Sequence, residues 1–467
     1  MAREGAAMGN GARHGRGRAA QPARLLFCVA WFLAGIRPAL GAEESPAPVT
    51  VPIESGALPN IATERRSIDL PTVLRLAQEQ NLVIAQAAEA VHEQEAARRG
   101  AQAQALPNVG ISAGVARLLP NIATVAGVPA GRVTLFISPG RVYYDAQVAK
   151  FAVRSAEFNR EGVTQDVLLE ATARYANLQL AQGLVRVAEQ SVFQAQELVR
   201  QTEGLQQGGL ALNADVLRAR AQLGEEHQRL VEAQREFKAA SISLATLLRL
   251  PPAVTLVASE LQVEMRTLVP PDATPDQLVE RALKQRPELT QARAEIRGAE
   301  MRRKSALWGA LLPTIGVERW LGGVTTDTPQ PLRRTWFYAE WRLLDSLGQS
   351  ARSKIDQAKS QERQARLRQE DLRDQIAGEV LVVQQAVAAA KEQVQVAQQQ
   401  GAAAEASLAV FRERYQNGLG LQLDVLAGQE ALTTARQNLV RAVVGYNLAQ
   451  AELLTRLGER VTAGMPR

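Results

Sequence analysis

The chain has 467 residues, of which 54 are Lys or Arg and 48 are Asp or Glu, giving a formal net charge of +6. Residues 1–42 contain six Arg and one Glu, so they carry +5 of this charge and the rest of the chain only +1. The basic balance therefore belongs to the N-terminal segment and gives no support for nucleic-acid binding. The single cysteine, Cys28, excludes a disulfide framework and a thiolate metal site.

The N-terminus has the pattern of a secretory signal peptide. A basic stretch precedes an apolar run at residues 25–36, and the small residues at 39–42 suit cleavage. The sequence predicts a signal peptide over 1–42 and an extended, proline-containing tail over 43–66. Lipid attachment at Cys28 stays an alternative, although Leu26 and Phe27 before it lack the small residue that such a site uses.

Helical patterns dominate the next part of the chain. Apolar side chains spaced three and four residues apart predict a helix over 68–105, which Pro107 ends. Between residues 140 and 250 there is no proline, which permits a long helix over about 143–207 and a second over about 213–250. Alternating residues on either side of a Pro/Gly loop at 120–131 predict a β-hairpin within about 108–139.

The second half repeats this order. Its predicted elements are a helix at 275–311, strands within about 314–343 around a Gly/Pro loop at 322–331, and helices at 347–417 and 421–457. The domain boundaries are a first repeat at 67–252, a linker at 253–274, a second repeat at 275–458 and a C-terminal tail at 459–467. The aromatic residues of the second strand pair suit either an ordinary core or a lipid interface; they are Trp320, Trp336, Tyr338 and Trp341.

One nine-residue stretch occurs in both halves, between the long helix and the helix that follows it. It reads GLALNADVL at 209–217 and GLGLQLDVL at 418–426, so the copies lie 418 − 209 = 209 residues apart. Three positions further on also match: Leu230 with Leu439, Phe237 with Tyr446, and Leu244 with Leu453. A period of this length indicates a duplicated half rather than a solenoid repeat.

Each copy predicts the turn of a helical hairpin. Gly209 and Gly418 permit the positive backbone dihedrals that end a helix. Polar residues at 213–215 and 422–424 would cap the helix that follows, where a carboxylate suits the positive end of the helix dipole. Because the turn occurs twice in register, a working tip is favoured over a capped turn alone.

The order of elements predicts a fold class. We expect a mainly α protein with a membrane β-barrel part, in which long antiparallel helical hairpins carry strands at one end and a two-fold internal repeat supplies four strands per subunit. Four strands with open edges cannot stand alone in a membrane, where unpaired backbone groups are costly. The strands are therefore expected to close with copies of the same chain.

Several motifs resemble those of the outer-membrane efflux protein family, the TolC-like channels. They are A-x-x-x-N-L at 77–82, A-L-x-x-R-P-E-L at 282–289, the Leu-Pro strand entries at 106–107 and 312–313, and the two G-L-x-L-x-x-D-V-L turns. The resemblance covers about residues 67–458. It implies a homotrimer in the cell outer membrane, in contact with outer-membrane lipid, whose helical part forms an α-barrel tunnel in the periplasm.

The resemblance also implies a function. The chain would be the passive exit duct of a tripartite efflux system for drugs, metals or other toxic small molecules. Its partners would be a periplasmic adaptor protein and an inner-membrane pump of the RND or ABC type. An exit duct for type I protein secretion shares the fold and stays an alternative, as does a secreted coiled-coil adaptor or structural protein without a pore.

Residue roles follow from the same resemblance. The adaptor-docking tips would include Gly209, Leu210, Asp215, Val216, Gly418, Leu419 and Val425. Asp424 matches a ring of carboxylates at the aperture, and Tyr415 matches a tyrosine of the closing network. Gly420 and Ala427 stand where an arginine link and a second acidic ring can occur, so closure is expected to be looser or differently held. Whether Asp215 faces the lumen stays open.

The sequence predicts no enzyme, cofactor or metal site. Its three histidines, His14, His92 and His227, are scattered and have no partner at metal-ligand spacing. It contains no phosphate-binding glycine loop, so any ATP hydrolysis would belong to a partner.

Overall fold

The computed structural model describes residues 65–106, 108–112, 130–260, 264–270, 273–325, 329–341 and 349–460. The predicted signal peptide, including Cys28, lies outside these ranges. So do most of the predicted N-terminal tail, of the loop at 120–131 and of the C-terminal tail.

Helices make up most of the described chain. In order they are α1 (Leu70–Gln80), α2 (Leu82–Ala103), α3 (Pro139–Gln207), α4 (Asn213–Leu247), α5 (Pro275–Gln285), α6 (Pro287–Leu311), α7 (Gln349–Gln416) and α8 (Gln422–Arg456). The strands are β1 (Arg65–Ile68), β2 (Asn108–Ser112), β3 (Ala130–Ile137), β4 (Thr255–Ala258), β5 (Thr314–Thr325) and β6 (Pro329–Glu340).

The long helices form a layer. α3 has 69 residues and α7 has 68, while α4 and α8 have 35 each. At a rise of 1.5 Å per residue, α3 is about 100 Å long. Side by side, the layer runs α4, α3, α8, α7 next to the turns and α2, α3, α6, α7 next to the strands. The four long-helix predictions agree with these bounds to within four residues.

Two helices predicted as continuous are each divided in two. The helix predicted at 68–105 begins only at Leu70 and is interrupted at Asn81, whose side-chain oxygen accepts the N–H of Val83 at 2.8 Å and so caps α2. The helix predicted at 275–311 is interrupted at Arg286, because the proline ring of Pro287 forces the preceding residue into an extended conformation.

A small parallel sheet was not predicted. β1 pairs with β4 in a register from Arg65 with Thr255 to Ile68 with Ala258. The sheet places a strand inside the predicted linker at 253–274 and another at the start of the first repeat. Its buried side chains, Ile68, Leu256 and Ala258, belong to a core formed with α1, α3 and α4.

A second sheet contains the four predicted strands. It is antiparallel, in the order β2-β3-β5-β6, so the two halves of the chain meet where Ile137 of β3 pairs with Ile315 of β5. The prediction of a loop over all of 322–331 is wrong, because β5 continues to Thr325 and β6 begins at Pro329. β6 is an end strand, where a proline without an N–H can be accommodated.

The second half has a core of its own. Side chains of α5, α6, α7 and α8 form a buried cluster that includes Leu278, Leu289, Ile376 and Leu453. It joins the two short helices of this half to the long hairpin, as the first core does in the other half. Within the described ranges, no helix combines the length and apolar character needed to cross a membrane.

Candidate functional site at the paired helical turns

The two predicted tips have the same backbone geometry. In the first turn (residues 208–212), Gly209 has φ +74° and its N–H donates to Gln206, while Leu210 donates to the carbonyl of Leu205. In the second turn (residues 417–421), Gly418 has φ +70° and the same pair of hydrogen bonds recurs one and two residues after the helix cap. Both turns are therefore Schellman motifs, which require a residue that tolerates positive φ.

The capping residues differ from the prediction. The helix caps are Leu212 and Leu421, not the polar residues that follow them. Asp215 still contributes to capping at the start of α4, because its carboxylate accepts the backbone N–H of Leu212 at 3.1 Å. The other oxygen of that carboxylate is 3.1 Å from the Arg218 guanidinium.

Asp424 is placed differently from Asp215. It lies in the first turn of α8 and donates its backbone N–H to the carbonyl of Leu421. In the part of the chain that the structure describes, its carboxylate makes no hydrogen bond or ion pair. The two matching aspartates therefore have unlike surroundings, one engaged locally and one available to solutes or other chains.

The two turns are joined by a side chain that the sequence did not single out. Gln422 is buried, and its Nε2 donates to the carbonyl of Asp215 at 2.8 Å. The link fixes the start of α8 against the start of α4. The sequence contains only a weak signal for this link. Gln422 corresponds to Asn213 in the other copy of the motif, so both residues were interpreted as helix caps.

The two valines of the motif are buried within the chain. Val216 is 4% exposed and Val425 is 1% exposed; Val425 packs with Leu198, Leu408 and Tyr415. Any role of these valines in docking would therefore act through packing that holds the turns, rather than through direct contact.

Leucines form the exposed apolar surface of the turns. Leu210 and Leu419 are 75% and 74% exposed. Four further leucines that the sequence reasoning did not select are also exposed: Leu212, Leu217, Leu421 and Leu423. The recurrence of leucine at 210 and 419, and again at 212 and 421, was the available signal. We refer to these six residues as the leucine tip.

Tyr415 connects the two hairpins one turn before the leucine tip. It is buried, and its hydroxyl donates to Thr202 Oγ1 on α3 at 3.4 Å. Thr202 in turn donates to the carbonyl of Leu198 at 2.8 Å. The contact is between neutral hydroxyl groups, so it holds α7 to α3 without an ion pair.

Comparisons with known proteins find a similarity to one family over part of the chain. The family model described as outer membrane efflux protein matches residues 73–248. Over this stretch the chain is similar to the outer membrane efflux protein family. A search of curated protein sequences found no match.

Solved structures of outer-membrane channels share the fold of this chain over most of its length. The outer-membrane channel OprN is 20% identical with a TM-score of 0.71, over 83% of this chain and 89% of that chain. The outer membrane protein VceC of Vibrio cholerae is 19% identical with a TM-score of 0.69, over 84% and 96%. The open state of the Neisseria gonorrhoeae MtrE outer membrane channel is 16% identical with a TM-score of 0.67, over 85% and 91%.

Two positions beside the aperture candidates Asp424 and Tyr415 carry small residues. A Cβ atom on Gly420 would lie 3.1 Å from both the Arg414 Cβ and the Tyr415 backbone nitrogen, so a larger side chain would crowd the turn. Ala427 is exposed on α8. Neither residue can supply charge. The Tyr415 hydroxyl bond and the Gln422 link, which join the hairpins here, are likewise made by uncharged side chains.

The described residues contain no group of His, Cys, Asp or Glu arranged to hold a metal ion. The groups present at the turns are the Asp424 carboxylate, the hydroxyl groups of Tyr415 and Thr202, and the apolar surface of the leucine tip. Such groups suit contact with another protein and the passage of solutes.

Proposed function

We propose that this protein is the outer-membrane exit duct of a tripartite efflux system, through which small toxic molecules leave passively. The observation that carries the proposal is the joining of a four-stranded antiparallel sheet to one end of helices about 100 Å long, with the leucine tip at the other end. A layer of this length would reach across the periplasm while its strands lie in the outer membrane.

The sheet supports assembly from three copies. β2 and β6 are its end strands, and each is paired with one neighbour in the described part of the chain. An end strand with unpaired backbone groups is costly in a membrane, and closure removes it. Three copies would supply 3 × 4 = 12 strands, an even number within the range of outer-membrane barrels.

The helical layer supports the same assembly. α4 and α7 are its two outer helices beside the turns. Exposed valines recur on α7 at 382, 396 and 410, each 14 residues from the next, and α4 carries exposed Val231. Fourteen residues are two heptads, the period at which packed helices keep one face in contact. These residues suit packing of α7 against α4 of the next copy.

A large polar cavity supports the passage of solutes. It has a volume of about 960 Å³ and is lined from all four helices α2, α3, α6 and α7. Most of its side chains are small or carry amides, as with Ala152 and Gln291, and its charged residues are Glu295, Arg302 and Arg368. A hydrated wall of this kind admits solutes of different chemistry, so selection would belong to the pump.

The leucine tip supports docking of a periplasmic adaptor protein. Six exposed leucines on two adjoining turns form an apolar surface of the kind that marks protein–protein contacts. The inner-membrane pump, of the RND or ABC type, would supply the energy, since transport through the duct itself is passive. The duplicated halves give two such turns per chain and therefore six in a trimer.

The test is extraction of the outer-membrane fraction in detergent, followed by sedimentation and single-channel recording of the purified protein. The expected result is a trimer that conducts ions. A soluble, non-conducting coiled coil in the periplasmic fraction would contradict the proposal and favour a secreted structural protein. A conducting trimer that restores protein secretion but not drug resistance would assign the duct to type I secretion instead.

A further inference from the structure

A cleft next to the turns separates α3 from the α7–α8 hairpin. Its volume is about 460 Å³, and polar side chains of all three helices line it. Its charged residues are Arg412 on α7, Arg436 on α8 and Glu197 on α3. Arg412 lies one helical turn before Tyr415, so the cleft adjoins the contact that joins the two hairpins.

Arg412 is a partly buried cation with no partner in the described part of the chain, where its guanidinium makes no hydrogen bond or ion pair. Burial, and next the charge of Arg436, lower the pKa of Arg412. A guanidinium that has lost water and faces a like charge is unfavourable unless an anion compensates it.

The carboxylates near the cleft are engaged elsewhere or exposed to water. Glu197 lies 2.6 Å from the Arg200 guanidinium. Glu405 lies 3.7 Å from Arg436 and is mostly exposed. The second Arg436 nitrogen donates to Gln190 Oε1 at 3.2 Å, which orients this guanidinium across the cleft. Neither carboxylate therefore neutralises Arg412.

We propose that this cleft binds a small oxyanion, such as inorganic phosphate or the carboxylate of an organic acid, between Arg412 and Arg436. Guanidinium groups bind such anions through paired N–H donors. The side chain of Gln429, which also lines the cleft, donates to the carbonyl of Gln194 at 3.4 Å and so ties α8 to α3 at this level. The cavity volume is within the range of small-molecule sites.

A bound oxyanion would bridge the two helices of one hairpin. Arg412 lies on α7 and Arg436 on α8, and the cleft faces α3. Binding would therefore hold α7 to α8 one helical turn before Tyr415. The consequence for channel closure, unlike the binding itself, rests on the proposed function as an exit duct.

The test uses the full-length protein purified in detergent without phosphate. Isothermal calorimetry and thermal unfolding are measured with potassium phosphate, and separately with citrate, against potassium chloride at equal ionic strength. We expect binding of at least one of these anions and a rise in the melting temperature. Arg412→Gln should weaken binding at least about tenfold, since it removes a charge-assisted contact. Without the anion, this variant should melt no lower than the wild type, because the substitution removes an uncompensated charge.

Arg414→Gln is the matched control, because Arg414 lies two residues away on the same helix and is exposed outside the cleft. It should retain the response to the anion. An equal response in Arg412→Gln and the wild type would overturn the proposal. So would an absence of binding to the wild type, including the case in which a carboxylate of a neighbouring copy fills the cleft. Calorimetry does not depend on conductance, so failure of the duct proposal would be seen separately.

Discussion

At the residue scale, the bond between Tyr415 and Thr202 holds α7 to α3 beside the turns, where the resemblance to efflux channels places the aperture. Both groups are buried, so little water competes for this hydrogen bond. A neutral hydrogen bond contributes about 1 kcal/mol, a factor of about five in a two-state equilibrium. Tyr415→Phe should therefore raise the open probability of single channels several-fold while leaving the ring packed in place.

Tyr446→Phe is the matched control for this measurement. Tyr446 is also buried, and its hydroxyl contacts Thr267 and Gln450 away from the turns. Its substitution should lower the melting temperature without changing channel opening. If both variants open alike, the effect of Tyr415 is on general stability and the residue has no part in closure.

The two matching aspartates should differ in their effect on cation block. In a trimer, three Asp424 carboxylates around one axis would attract multivalent cations. Asp424→Ala should weaken block by such cations by about tenfold, which corresponds to about 1.4 kcal/mol. Asp215→Ala should leave the block unchanged, since that carboxylate is engaged by Leu212 and Arg218. Single-channel titration with a trivalent cation measures both variants, and unchanged block in Asp424→Ala would leave this residue no place in the aperture.

At the element scale, Arg286 joins the break between α5 and α6 to both helices of the long hairpin. It is 4% exposed; its Nε donates to the carbonyl of Arg456 at 2.6 Å, and a terminal nitrogen lies 2.9 Å from Glu379. Arg286→Met should lower the free energy of unfolding by about 2–4 kcal/mol. The loss should lie toward the lower end of this range, because Glu379 is 44% exposed and its carboxylate can turn to water. The readout is a fall in melting temperature at a fixed scan rate.

Lys284→Met tests whether the effect belongs to the buried bridge. Lys284 lies two residues before Arg286 and pairs with Glu280. Both side chains of this pair are largely exposed. Exposed ion pairs of this kind contribute little to the free energy of unfolding. Its melting temperature should match that of the wild type, and a loss as large as that of Arg286→Met would assign the effect to α5 itself.

The sequence predicted the long elements well and the short ones poorly. The absence of proline between 140 and 250 and again between 331 and 466, with the repeated glycine turns, was enough to set the bounds of α3, α4, α7 and α8. β1 and β4 have four residues each, too few for alternation to appear. The breaks at Asn81 and Arg286 were overlooked because the apolar period continues across them.

At the turns, the sequence predicted the backbone but not which side chains face outward. The repeated glycines required positive φ, and both have it. The motif alone treats its leucines and valines alike. Burial of Val216 and Val425 depends on the position of the neighbouring helices, and so does the inward direction of Gln422. Such information is tertiary and becomes available only once the hairpins are packed together.

At the scale of the whole molecule, the two halves depend on each other at three levels. β3 pairs with β5, α3 packs against both α6 and α8, and the two turns meet through Gln422. Each half by itself would expose the apolar faces that these contacts cover. The outer elements of the chain are the helices α4 and α7 and the end strands β2 and β6. Assembly would bring neighbouring copies together at these elements, extending the helix packing and strand pairing found within one chain.

The valines on α7 should therefore decide the oligomeric state. Val396→Glu places a charge in the middle of the 382, 396 and 410 series, and an ionised carboxylate against α4 of a neighbouring copy should weaken association by more than about tenfold. Gln398→Glu adds the same charge on the opposite face of the helix and should leave the trimer intact, since position 398 is 200° away at 100° per residue. Sedimentation in detergent compares the two. A trimer in both variants would show that α7 and α4 do not meet across the subunit border.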